Sequence, residues 1–123
     1  MAYLTDRKRA SGLGSAKTGT EHHWSMMVSS VGLVILIPLF IFTFGRILGA
    51  PYAEVVAYFE RPFPAIVAGL TIVMTFMHFK NGVQVLIEDY VQGTARKALI
   101  IATICLSYAA AGTGLFAIAR LAL

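Results

Sequence analysis

The chain has 123 residues, of which 58% are hydrophobic and only 13% charged, with a formal net charge of +4 and a mean hydropathy of +0.76. A soluble domain of this size carries about 25% charged residues, so a soluble enzyme is excluded. The basic excess is not interleaved with aromatics along a stripe, so nucleic acid is not an expected partner.

The N-terminal tail, residues 1–23, is rich in Gly, Ser, Thr and Lys and has no apolar run before Trp24. A cleaved secretory signal is therefore not expected. The tail is read as polar and retained, with Gly14 to Thr20 able to order against a partner.

Residues 24–123 are read as an all-α, integral membrane domain of three transmembrane helices. Trp24 to Gly45 is 22 residues without a charge, Pro62 to Phe79 is 18, and Ala98 to Ala119 is 22. Each is close to the ~20 residues that cross a ~30 Å hydrocarbon core. The expected helices run over about 24–45, 62–88 and 98–119.

In the first helix, Ser25, Ser29 and Gly32 form a small-residue seam whose hydroxyls could also reach a cofactor, and Pro38 loosens the helix at mid-depth. Pro51, Pro62 and Pro64 bracket a connection with room for a short helix over 53–59. In the third helix, Ala110 and Gly114 are a small-xxx-small pair suited to close helix packing. The single cysteine, Cys105, reads as a small buried hydrophobe.

Lys and Arg set the topology. Arg7, Lys8, Arg9, Lys17, Arg96 and Lys97, with Lys80 nearby, lie on one side, and Arg46, Arg61 and Arg120 on the other. The positive-inside bias places the N-terminus in the cytoplasm and the C-terminus in the periplasm.

The second helix carries the chemistry. At 100° per residue, His78, Gly82, Val85 and Asp89 all point within about 40° of the direction of Thr71. An ionisable imidazole in a bilayer-length helix is a functional-site hypothesis. Gly82, one turn from His78, leaves space for something flat against the helix, and haem is the candidate, since its iron takes a neutral imidazole as axial ligand. The competing reading is a histidine hydrogen-bonded to a neighbouring helix. His22 and His23 precede the first helix and do not match His78 in depth, so a second axial histidine would come from another subunit. Lys80 must snorkel or meet an anion.

The run His78-x-x-x-Gly82-x-Gln84-Val85-Leu86-x-x-Asp89-Tyr90 resembles the second membrane helix of bacterial succinate dehydrogenase hydrophobic anchor subunits. The stretch Gly19-Thr20-Glu21-His22-His23-Trp24, with Pro38-Leu39 beyond it, is similar to the alphaproteobacterial form, and the resemblance covers nearly the whole chain. It implies a membrane anchor of respiratory complex II in the bacterial inner membrane. Its partners would be a second anchor (cytochrome b) subunit, an iron–sulfur subunit and a flavoprotein subunit. Succinate oxidation would belong to those partners. By the same resemblance His78 is the haem b axial ligand, Gly82 packs against the haem, Tyr90 hydrogen-bonds the ubiquinone, and Asp89 is the acid of the quinone site.

In one place the chain departs from the family pattern. Family members carry Gln-Arg where the first helix begins, with the arginine near a haem propionate, and this chain has Met26-Met27. Three alternatives follow: the partner subunit neutralises both propionates, or His22, His23 or Lys80 substitutes, or the site holds haem more weakly. The alternative function is a small transporter or packing subunit in which His78 relays protons or serves the core.

Overall fold

The computed structural model describes residues 3, 5–12 and 19–123. It contains helices α1 (Asp6–Gly12), α2 (Gly19–Gly45), α3 (Tyr52–Phe59), α4 (Pro62–Tyr90) and α5 (Gly93–Ala122). Lys17 and most of the Gly14 to Thr20 stretch lie outside the described residues.

Three of these helices are long and apolar enough to cross a membrane: α2, α4 and α5. Their apolar residues run nearly all the way round, as expected where one side meets lipid. The helices extend past the charge-free windows: α2 starts at Gly19, and α4 carries on through Lys80, Glu88 and Asp89 to Tyr90. Polar residues at a helix end can meet headgroups and water while backbone bonding continues, so the charge-free window marks the apolar span and not the helix.

α4 is the central helix. It packs along α2 on one side and along α5 on the other, and α2 and α5 do not pack on each other among the described residues. On the α2 side small residues permit close approach: a Cβ on Gly32 would lie 2.5 Å from Met74 Cε. On the α5 side a Cβ on Gly114 would lie 3.1 Å from Ile72 Cγ2. That places the α5 small-residue pair in a packing seam, since Ala110 also lines the groove between α4 and α5.

α3 caps one end of the bundle. Ile47, Phe59 and Ala68 form a buried apolar cluster, with Phe40, Val55, Tyr58, Ile118 and Leu121 packed around it. The short helix was expected at 53–59, and it begins one residue earlier because Pro51 fixes the extended entry with φ −57°.

At the other end α4 and α5 are joined by Val91 and Gln92 alone, both in extended backbone, and Gly93 opens α5 at φ +70°. That left-handed value suits glycine and strains other residues. Cys105 is exposed on α5, not buried as expected. A thiol is apolar enough to face lipid, so burial against protein is not required.

Candidate functional site along the α2–α4 seam

The side chains of α2 that face α4 recur at three- and four-residue steps, through His22, Ser25, Ser29 and Gly32, because 3.6 residues make a turn. Opposite them α4 runs antiparallel, and the polar groups of the two helices meet in rungs. Asn81 Nδ2 donates to Ser25 Oγ at 3.2 Å. One rung deeper, Ser29 Oγ lies 3.0 Å from His78 Nδ1.

The second contact orients the imidazole. Ser29 is almost fully buried, and its one hydroxyl proton is given to Met26 O at 2.9 Å. With that proton so placed, Nδ1–H as donor to Ser29 Oγ is the tautomer that satisfies both contacts. Nε2 takes no part in that contact. It has no hydrogen bond among the described residues, and a Cβ at Gly82, one turn further along, would meet nothing within 4 Å. An imidazole tied through Nδ1, with Nε2 taking no hydrogen bond among the described residues, is the arrangement an axial metal ligand uses. These residues fit a haem.

The interhelical hydrogen bond weighed against a ligand role is thus present, and it uses only one of the two nitrogens. Of the rest of the expected face, Thr71 is buried and returns its hydroxyl to Val67 O at 2.7 Å. Gly82 and Val85 are half-buried. Asp89 and Tyr90 are exposed, Tyr90 at 81%, at the end of α4 where the chain turns into α5. His78 and Tyr90 are twelve residues apart, roughly 18 Å of helix rise, so they belong to two linked places and not to one pocket.

The structure adds residues that sequence reasoning passed over. Asn81 is buried at 4% exposure, and an amide within a spanning helix three residues from His78 was the available signal. His22, from its place ahead of the first apolar span, would be expected to be solvated at the interface. Instead its Nε2 is buried without a hydrogen-bond partner among the described residues, while His23 is exposed. His22 is seven residues before Ser29, about 10 Å of rise, so it stands well toward the Tyr90 end and is not level with His78.

Lys80 pairs with no carboxylate among the described residues. Its Nζ lies 5.6 Å from the centroid of the Tyr108 ring on α5, a contact that gains strength when desolvated. Two residues beyond His78 it is turned some 160° around α4. It therefore serves the α5 side, away from Ser29, whereas His22, another of the groups suggested for the role of the family arginine, has a buried ring nitrogen without a hydrogen-bond partner among the described residues.

The comparisons with known proteins give the chain a family. Residues 1–112 match the family model for the succinate dehydrogenase/fumarate reductase transmembrane subunit. The chain belongs to that family. It is 44% identical, over all 123 residues and 95% of the relative's length, to the succinate dehydrogenase hydrophobic membrane anchor subunit of Paracoccus denitrificans. No solved structure matches. The family places this chain as a multi-pass membrane anchor subunit of succinate dehydrogenase, and the anchor-like resemblance seen in the His78 to Tyr90 run agrees with it.

Proposed function

We propose that this chain anchors a succinate:quinone oxidoreductase in the bacterial inner membrane and helps build its haem b and ubiquinone sites. In this reading the Tyr90 end and the N-terminal tail, residues 1–23, face the cytoplasm, and the α3 end and C-terminus face the periplasm. The flavoprotein and iron–sulfur subunits dock on the cytoplasmic side. Succinate is oxidised there, and this chain holds no part of that chemistry. A second membrane anchor subunit supplies the other axial ligand.

The observation that carries the reading is the Ser29–His78 contact, 3.0 Å long, which leaves Nε2 as the free nitrogen. His78 would hold the iron, Ser29 would fix the ring's tautomer and orientation, and Gly82 would keep the adjacent surface clear. When bound, haem b supplies a one-electron redox centre. Tyr90 would donate its phenolic hydrogen to a quinone carbonyl. That bond strengthens as charge grows on the oxygen during reduction. Asp89, beside it, would hold or pass a proton at the same membrane face.

Replacement of His78 tests the assignment in the assembled complex. With His78→Ala the low-spin haem b spectrum should be lost or greatly weakened, while the complex still assembles because helix packing does not rest on one imidazole. An unchanged spectrum in a fully haem-loaded variant would remove His78 from the ligand set and favour the packing role, for which the Ser29 bond would suffice.

A further inference from the structure

At the α3 end, remote from the seam, α2 and α4 diverge around a cavity of about 470 Å³. Arg46 and Arg61 both line it, with Tyr58 and Thr43 between them and Leu39 and Phe63 on its apolar wall. Arg46 follows the last residue of α2, and Arg61 precedes the first residue of α4. Both guanidinium groups therefore sit at the level where the apolar spans end and lipid headgroups begin.

No carboxylate pairs with either arginine. Among the described residues the chain's salt bridge is Arg9 with Asp6, in α1. Two cations on one cavity repel each other, and a shared anion relieves that cost. Guanidinium is the side chain best shaped for a phosphate, because its planar fork gives two parallel hydrogen bonds. A free phosphate would use the arginines alone. The apolar wall running from Arg46 back to Leu39, about two turns into the span, gives a second requirement, namely an apolar chain attached to the anion.

We propose that this cavity is a binding site for an anionic phospholipid, with its phosphate between Arg46 and Arg61 and an acyl chain along Leu39 and Phe63. The site is separate from the haem and quinone assignments and stands whether or not those hold. Basic pockets between membrane helices recognise lipid headgroups by this combination of charge and groove. A bound lipid there would bridge the ends of α2 and α4, which are otherwise joined through α3.

The complex containing this chain, purified from membranes in mild detergent, provides the test. Thermal stability is measured with added dioleoyl phosphatidylglycerol, with dioleoyl phosphatidylcholine, and with inorganic phosphate, alongside native mass spectrometry for retained lipid. For the wild type, phosphatidylglycerol should raise Tm by about 2 °C or more, and an anionic lipid should remain bound. The double variant Arg46→Gln, Arg61→Gln should lose both signals. Arg120→Gln, at the same end of the bundle on α5, should keep both. Arg46→Lys with Arg61→Lys should retain a weakened response, which separates loss of charge from loss of fold. Equal responses of wild type and double-Gln variant, or equal stabilisation by phosphatidylcholine, would overturn the site. Full stabilisation by inorganic phosphate would replace the lipid with a simple anion and overturn it equally.

Discussion

The two ends of the bundle are built on opposite plans. At the α3 end a short helix is laid across the spans, and Phe59, Ile47 and Ala68 are buried beneath it. At the other end α4 and α5 turn with only Val91 and Gln92 between them, Tyr90 and Asp89 stand exposed, and His22 keeps a buried nitrogen without a partner. One end has an apolar core of its own, beside the cavity that Arg46 and Arg61 line. The other presents exposed polar groups and a His22 nitrogen that has no hydrogen-bond partner among the described residues. The difference separates stability from activity: changes at the first end should cost folding, and changes at the second should cost turnover.

Phe59→Ala should have the largest effect. Truncating a buried phenylalanine costs about 3 kcal/mol or more in well-packed cores, so Tm of the assembled complex should fall by several degrees. Quinone reduction per intact complex should be unchanged. A variant that kept its Tm and lost turnover would break the division between the ends.

Tyr90→Phe is the converse. Removing one hydroxyl from an exposed ring should leave Tm alone and reduce the quinone-reductase rate tenfold or more, equivalent to about 1.4 kcal/mol of transition-state stabilisation. Succinate oxidation with a soluble dye that takes electrons upstream should persist. A wild-type quinone rate across a range of quinone concentrations would withdraw Tyr90 from the site.

Ser29→Ala probes the seam between the ends. Loss of the bond to His78 Nδ1 should weaken haem retention by roughly fivefold, about 1 kcal/mol, and shift the haem absorption spectrum because the ring is no longer held. If retention and spectrum both match the wild type, the tautomer argument fails. Ser25→Ala should be smallest, at about 0.6 kcal/mol, the average for hydrogen bonds between membrane helices. It should change melting slightly and the spectrum not at all.

The three spans were legible in the sequence because charge is expensive in hydrocarbon, so its absence over 18 to 22 residues is conspicuous. The α3 helix was legible from the prolines around it. His78 and Gly82 stood out for the same reason as the spans, as a polar and a permissive residue in an apolar helix, whereas Asp89 and Tyr90, ordinary residues for a helix end, took their roles from the family resemblance. What could not be read was which partner each polar group takes. Helices that are apolar nearly all round carry no periodic signal for their packed face. Hence the pairing of Asn81 with Ser25, the burial of His22 and the turn of Lys80 toward Tyr108 needed the structure. Cys105 shows the same limit from the other side: in lipid, an apolar residue gives no sign of whether protein or bilayer surrounds it.

The connection after Tyr90 also bears on how the protein meets membranes of different thickness. Val91 and Gln92 have φ values of −117° and −120°, so the three Cα steps from Tyr90 to Gly93 are near full stretch and reach roughly 10 Å. That is about one interhelical distance. With no slack in the tether, α4 cannot slide a turn along α5 without unwinding an end. In a thinner or thicker bilayer the pair must accommodate mismatch by tilting as one body, and the height of Tyr90 against α5 stays constant. Reconstitution in lipids of graded acyl length should therefore alter tilt while leaving the local surroundings of Tyr90 unchanged.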